Sequence, residues 1–331
     1  MREFRWVRAA SVADALQGLA AGDAMCVAGG VEILNLMREG LCAPGTLIDI
    51  SGIAALRQIT LTGDTLTLGA LCHMSEVAAH PDVIRECPAV AQALRESGSP
   101  QIRNASTLGG NLLQRTRCVY FRNGTLDVPC NKRTHGSGCA AIDAGATRAF
   151  ALFDRSSQCI ATHPSDLAVA LDAMDARIIL QGPAGERTVE AHRFLRSPGT
   201  TPQRDNNMKA GELLVRIEIP RGALARRGIY LKVRDRAAFQ AALVSVAAAV
   251  TLQHNKIAHA AIALGGVAHR PWRLLSVETA IQGKALADAA FHSSLAAAML
   301  ALPPHGGDLI KREIATRAVE QAVRMAAAIT A

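Results

Sequence analysis

Aromatic residues are scarce in this 331-residue chain: two Trp, two Tyr and seven Phe make up 3% of it. Proteins that hold single-stranded nucleic acid stack bases on aromatic rings set among positive charges. The formal charge of +8, from 36 Lys and Arg against 28 Asp and Glu, therefore does not by itself point to that role. Long hydrophobic runs are missing too. The longest, Ala241 to Leu252, is interrupted by Ser245 and Thr251 and is too short to span a bilayer. No apolar run of roughly 7–15 residues follows the charged start MREFRWVRAASVADAL, so no secretory signal is read there. The expectation is synthesis in the cytoplasm with no signal of its own and no membrane insertion, so that any export depends on a partner's signal. A disulfide framework is then not expected. A Walker-type phosphate loop, a Ser/His/Asp or Cys/His nucleophile pattern and long basic runs are likewise lacking, which removes nucleotide hydrolysis, nucleophilic catalysis and nucleic-acid binding as first readings. Cysteine is absent from everything after Cys159, the last of eight.

What is present suffices for sizeable cores: half the residues are apolar, 19% are charged and the mean hydropathy is +0.16. Residues 11–22 read as a helix capped by Ser11 with Asp14 in its first turn, stopped by Gly22. A short strand (MCVAGG), a helix over 31–38 and a strand over 46–50 complete a small β-α-β unit. Residues 57–70 give a hairpin around Gly63-Asp64. Residues 73–97 carry helical patterns broken at Pro81 and Pro88. Residues 98–165 are mostly loop-like, a length that usually signals function. A helix over 166–174 and strands over 176–180 and 213–219 follow, with 199–211 an exposed connection. After a change of texture at 221–227 come three β-rich runs (228–234, 243–252, 256–266) and two helices, about 276–300 and 308–330.

Two glycine strings stand out. Ala28-Gly29-Gly30-Val31-Glu32 joins a strand to a helix, where glycine lets backbone approach a ligand and free amides suit a phosphate. Thr107-Leu108-Gly109-Gly110-Asn111, after Gln101-Ile102-Arg103-Asn104, could place amides around the same group if the fold joins the two. Gly136-Ser137-Gly138-Cys139-Ala140-Ala141 matches a dinucleotide fingerprint in form only. It follows Asn131-Lys132-Arg133-Thr134-His135 instead of an apolar strand and is rejected.

The cysteines fall into two groups. Cys26, Cys42, Cys72 and Cys87 sit in apolar surroundings and read as small buried hydrophobes. Cys118, Cys130, Cys139 and Cys159 lie in a segment, 114–160, with seven basic and three acidic residues, which is half the net charge of the chain. Four thiolates can hold zinc or an iron–sulfur cluster, or be unrelated loop cysteines. The spacing lacks the close pairs of structural zinc and is compatible with a cubane, whose negative charge a cationic shell would favour.

Together these stretches resemble the FAD-binding subunit of the molybdenum hydroxylase (xanthine dehydrogenase) family, in particular the subfamily of bacterial periplasmic aldehyde oxidoreductases that carries an extra [4Fe–4S] cluster. The resemblance lies in Ala28-Gly29-Gly30 with Leu36-Met37, in Ile102-Arg103-Asn104 through Gly109-Gly110-Asn111 to Cys118, and in Cys159-Ile160-Ala161-Thr162-His163-Pro164-Ser165-Asp166. It continues in Lys232-Val233-Arg234-Asp235-Arg236 with Ser245-Val246-Ala247, and in Leu264-Gly265-Gly266-Val267-Ala268 with Pro271-Trp272-Arg273, covering about residues 3 to 325.

The resemblance implies an α+β chain. A two-part FAD-binding domain of the vanillyl-alcohol-oxidase/PCMH type (1–222), with the [4Fe–4S] insertion at about 114–160, would precede a C-terminal α+β domain like that of CO-dehydrogenase flavoproteins (223–331). By family pattern Ala28, Gly29, Gly30, Val31, Glu32 and Ile33 would cradle the FAD pyrophosphate. Thr107, Gly109, Gly110 and Asn111 would close on it, His163 would touch the cofactor, Asp166 would accept from the ribityl chain and Lys232 would lie near the flavin. Cys118, Cys130, Cys139 and Cys159 would ligate the cluster. The family usually has Thr then Asn or Asp after the double glycine. Here Val31 brings no hydroxyl and Glu32 brings a negative charge, so backbone contacts are expected to carry the binding. No residue is singled out as catalytic.

The implied role is electron transfer in a heterotrimer. A molybdopterin-binding large subunit would oxidise an aldehyde and a small [2Fe–2S] subunit would relay electrons to FAD here, which would hand them to an external acceptor. Alternatives are a partner acting on an N-heterocycle or an aromatic acyl thioester, and a binding module stapled by zinc.

Overall fold

The computed structural model describes residues 1–145, 148–237, 239–302 and 308–329. In chain order, β1 (Arg5–Arg8), α1 (Val12–Ala20), β2 (Ala24–Val27), α2 (Ile33–Arg38) and β3 (Thr46–Asp49) form a parallel sheet of order β1-β3-β2. The sequence sets the start of α1 directly. The Asp14 amide donates to Ser11 Oγ (3.1 Å) and the Ser11 amide donates back to Asp14 Oδ2 (3.0 Å), a closed capping box. Strand β1 has a single half-buried position and no alternation, which is why periodicity does not reveal it.

The hairpin β4 (Ile59–Thr62) and β5 (Thr65–Gly69) turns at Gly63, φ +53°. The chain then leaves the sheet through α3 (Met74–Ala79), α4 (Pro81–Glu86), α5 (Pro88–Glu96), α6 (Pro100–Ala105), α7 (Leu108–Leu112), α8 (Val119–Arg122), α9 (Ala140–Asp143) and α10 (Asp166–Ala173). It returns as β6 (Arg177–Gly182), β7 (Gly185–Glu190), a turn of helix α11 (Ala191–Phe194) and β8 (Leu213–Pro220), closing an antiparallel sheet of order β4-β5-β8-β6-β7. The expected loop over 98–165 therefore contains four helices of four to six residues, too short to show two turns of periodicity. One of them, α7, is the second glycine string itself.

After α12 (Ala223–Arg226), strands β9 (Gly228–Val233), β10 (Val244–Gln253), β11 (Lys256–Gly265) and β12 (Trp272–Arg273) make an antiparallel sheet of order β12-β11-β10-β9. Helices α13 (Leu275–Ile281), α14 (Ala289–Ala301) and α15 (Leu309–Ala327) cover it. The single helix expected over 276–300 is broken between Gln282 and Asp288, where Gly283 has φ +75°. Among the described residues no helix is long and apolar enough to cross a membrane.

The alternation in β10 sorts this sheet between two cores. Val244, Val246, Ala248 and Val250 pack with Phe291, Val319 and Val323 of the covering helices. Ala247 and Ala249, with Ala261 and Ala263 of β11, belong instead to the core of α5 and α10. Alanines on that face let two helices approach the sheet closely, so aliphatic and small side chains fill space that aromatics would otherwise take. Strand β9 is thereby held against α5, and the C-terminal sheet contributes a wall to the site.

Candidate functional site

The two glycine strings come together. Gly29 follows β2 so closely against the end of α6 that a Cβ there would lie 1.8 Å from the Ala105 carbonyl oxygen, and Gly30 holds φ +71°. Across from them Thr107 caps α7, its Oγ1 accepting from the Gly110 amide (3.2 Å), while the Gly109 amide donates to Ala70 O (2.8 Å). Between the strings lies a cavity of about 780 Å3, a size that suits a large cofactor. All of Ala28 to Ile33, together with Thr107, Gly109, Gly110, Asn111, Asp166 and Lys232, line it. Among the described residues, the amides of Gly29, Gly30, Val31 and Glu32 donate to no protein acceptor. Gly29 is exposed and Gly30, Val31 and Glu32 are half-buried at the open cavity, so their free amides are available to acceptor oxygens of a ligand.

At the other wall, Asp166 opens α10 and is buried. Its Oδ2 accepts from Lys232 Nζ (2.7 Å) and Ser97 Oγ (2.9 Å), and its Oδ1 from Tyr230 Oη (2.5 Å). Lys232 also donates to Glu96 O (3.0 Å). Burial raises the Asp166 carboxyl above its ordinary range, against the opposing pull of Lys232, and burial with Asp166 alongside pushes Tyr230 up. Asp166 already serves three donors, so it holds Lys232 in place as well as facing the cavity. Tyr230 and Ser97 are the partners that sequence reasoning missed. Tyr230 lies two residues before Lys232, on the same side of β9 by strand alternation, a signal that could have found it.

His163 is placed otherwise than expected. It is buried beside the cavity and does not line it. Its Nδ1 accepts from the Ser165 amide (3.3 Å) and its Nε2 is buried without a partner. Burial pushes it down to about 4, as it pushes His269, whose Nε2 is also unpartnered, down to about 3.

Glu32 does not confront a diphosphate with a bare charge. Its Oε1 accepts from the Arg115 amide (2.8 Å) and its Oε2 from Arg117 Nη1 (2.9 Å), and Arg122 pairs with it as well. The negative charge is turned toward the segment that holds the cysteines.

There Cys118, Cys130, Cys139 and Cys159 line one second, far tighter cavity of about 10 Å3. Cys130 and Cys139 face each other across an isolated bridge, pinned by the Asn131 amide donating to Gly138 O (2.8 Å) and the Cys130 amide to Ser137 Oγ (3.0 Å). None of the four is in a disulfide. Burial raises the thiol of Cys118, and that of Cys159 to about 12. The four share a cavity, yet among the described residues no three His, Cys, Asp or Glu side chains gather tightly enough to hold a single metal ion. Of the remaining cysteines Cys72 and Cys87 are buried, as expected, and Cys26 and Cys42 are half-buried.

The expected cationic shell is mostly spent elsewhere. Arg115 and Lys132 pair with Asp205, Arg117 and Arg122 with Glu32, and Arg148 with Asp235. Lys132 alone of the seven basic residues lines the cysteine cavity. Its buried ammonium also donates to Pro202 O (2.7 Å), so the connection 199–211, largely exposed as expected, clamps the segment through its buried Pro202. Burial alone would raise Asp205. Lys132 and Arg115 overcome that and hold it down at about 2.

Known proteins fall in line with this geometry. Residues 2–222 match the family described as the FAD binding domain in molybdopterin dehydrogenase, and residues 229–328 the CO dehydrogenase flavoprotein C-terminal domain. The aldehyde oxidoreductase FAD-binding subunit of Escherichia coli is 40% identical over 89% of this chain and 91% of its own length. The glyceraldehyde dehydrogenase medium chain of Sulfolobus acidocaldarius is 29% identical over 86% of this chain and 83% of its own. Among solved structures, carbon monoxide dehydrogenase from Hydrogenophaga pseudoflava superposes with a TM-score of 0.74 at 25% identity, covering 98% of this chain and 97% of that one. The chain belongs to the FAD-binding oxidoreductase subunits of the molybdenum hydroxylase (xanthine dehydrogenase) family.

Proposed function

We propose that this chain is the electron-transfer subunit of an aldehyde-oxidising molybdenum enzyme, carrying FAD in the large cavity and a [4Fe–4S] cluster among the four cysteines. The observation that carries this reading is the convergence of two glycine strings, about 80 residues apart in sequence, on one cavity whose unpartnered amides await acceptor oxygens. The amides of Gly29 to Glu32 bind the diphosphate, with Thr107 and Gly109 to Asn111 opposite. Asp166 fixes Lys232, and the ammonium offers a positive field at the deep end of the cavity. When bound, the flavin supplies the two-electron redox chemistry, while the protein sets its position and surroundings.

The cysteine cavity supports a cluster over zinc. Tetrahedral zinc, about 2.3 Å from each sulfur, draws four thiolates to within about 4 Å of one another. The four cysteines, separated by 8 to 19 residues, include no close pair of the kind structural zinc uses, and a cubane spreads its ligands over four irons. A small [2Fe–2S] subunit and a molybdopterin-binding large subunit complete the heterotrimer, and an external acceptor takes the electrons. The aldehyde reading rests on the 40% identity to the Escherichia coli subunit. Export, if it occurs, would be as a folded passenger of a partner with a twin-arginine signal.

The test is purification with the neighbouring subunits followed by flavin, iron and sulfide analysis. One flavin with its visible absorbance band, and about four irons with acid-labile sulfide on this chain, are expected. One zinc, or a complex without the flavin band, would overturn the reading.

A further inference from the structure

Glu32 lines the large cavity and is bonded to the segment that carries Cys118. Its backbone forms part of the glycine turn, and its amide is one of those left without a protein acceptor. Its carboxylate reaches about 90 residues along the chain. All three of its donors lie in the stretch Arg115–Arg122, which brackets Cys118.

That stretch is a ring closed on Arg122. The Arg122 guanidinium donates to Arg115 O (2.9 Å) and Thr116 O (2.8 Å) as well as to Glu32, and the Cys118 amide donates to Thr116 Oγ1 (3.2 Å). The pairing of Glu32 with Arg122 is shielded, their side chains being 14% and 12% exposed. The position of Cys118 and the direction of the Glu32 carboxylate are thus set by the same few bonds. If the cysteine segment loosens, Glu32 loses its donors, and a free carboxylate stands at a turn meant for an anion. If the segment is held, that charge is neutralised and turned away.

We propose that Glu32 makes the two sites interdependent: a filled cysteine cavity strengthens FAD binding at the glycine turn, and bound FAD strengthens retention of the cluster by the same factor. Glu32 acts here as a positioning residue. The inference rests on the two cofactors proposed above.

The experiment titrates FAD into the full chain, in its complex, with iron present and after anaerobic removal by a chelator. The reciprocal leg measures iron retained at equilibrium with the chelator, with and without FAD. In the unaltered chain iron removal weakens FAD about tenfold, and saturating FAD lowers the equilibrium constant for cluster loss to the chelator by the same factor. In Glu32→Gln both dependences fall below about threefold. In Arg117→Gln, which alters a half-exposed partner and leaves the cavity backbone intact, they fall partway. FAD affinity independent of iron in the unaltered chain overturns the coupling alone. An undiminished tenfold dependence in both variants assigns it to other residues and overturns the role of Glu32. A chain that holds no iron or no flavin overturns the coupling together with the functional reading on which it rests.

Discussion

The stretch from Gly109 to Phe121 runs from one cavity to the other, lining the large one as far as Arg117 and the small one from Cys118, yet the two are made in opposite ways. The large one stands open at about 780 Å3 and is shaped by backbone: two glycine strings, unpartnered amides and a fixed Asp166–Lys232 pair. The small one is far tighter and shaped by side chains: Cys159 is buried, the other three cysteines are half-buried, and burial raises the thiols of Cys159 and Cys118. A backbone-built cavity exists before its ligand and lowers the ordering cost of binding. A thiol-built one gains its stability from the metal, because only a bound cation makes a thiolate favourable in so dry a place. The difference predicts a reversible flavin and a cluster that is part of folding.

The largest effect should come from breaking the small cavity. Cys159→Ser removes one buried sulfur, and we expect iron to fall from about four per chain to less than one, with a stability loss of several kcal/mol seen in urea unfolding. If the variant keeps its iron and its stability, the cavity is not metal-built. Next comes the large cavity. Gly29→Ala places a Cβ 1.8 Å from Ala105 O, an overlap that backbone must move to relieve. A destabilisation of about 1–3 kcal/mol is expected, with FAD affinity reduced on the order of 100-fold by flavin fluorescence, since the amides of the turn move with it. Iron content should change less than flavin content. Equal losses of both would erase the distinction between the cavities.

Much of this was legible in the residue pattern. The capping box at Ser11–Asp14, the hairpin at Gly63-Asp64, both glycine strings and the odd cysteine segment were visible because each is local and chemically specific. What was not legible depends on distance along the chain. Nothing near Asp205 announces that it seats Lys132, 73 residues away, and nothing near Glu32 announces Arg122. Side-chain charge told where cations were plentiful but not which carboxylates would claim them. The helices inside 98–165 were hidden by their shortness. From its neighbours in sequence His163 is expected at the cofactor, whereas it is buried beside the cavity in a seam where the charges of Asp205 and Lys132 act on it.

That seam gives the third prediction. His163 and His269 are buried neutral, and burial holds them at about 4 and about 3 against an ordinary value of 6.5. Asp205 favours their protonation, while Lys132 opposes it. Below pH 6.5 the unfolded chain takes up protons that the folded one refuses, so stability is complete above that value and falls as the pH is lowered toward 4. Each group contributes on the order of 3 kcal/mol to the loss. Urea midpoints should drop steadily between pH 7 and 4.5, and His163→Gln should flatten part of that slope. A midpoint unchanged down to pH 5 would mean that the seam admits water and charge.

The smallest effect separates buried from exposed electrostatics within one segment. Lys132 and Arg148 both lie in the cysteine region and both pair with an aspartate, Asp205 and Asp235. The Lys132 side chain is 1% exposed, so removing it breaks a shielded pair and leaves Asp205 to Arg115 alone. Arg148 and Asp235 are 62% and 50% exposed, where water screens the pair and two side chains lose freedom to make it. Arg148→Gln should therefore change stability by less than about 0.5 kcal/mol and leave iron and flavin content untouched. Asp235 lies in the stretch that follows Lys232 toward the cavity lip at Gln240, which it also accepts from at 3.2 Å. A measurable loss of flavin in Arg148→Gln would show that this surface pair steadies the lip of the large cavity, and that the two regions are joined at their rims as well as through Glu32.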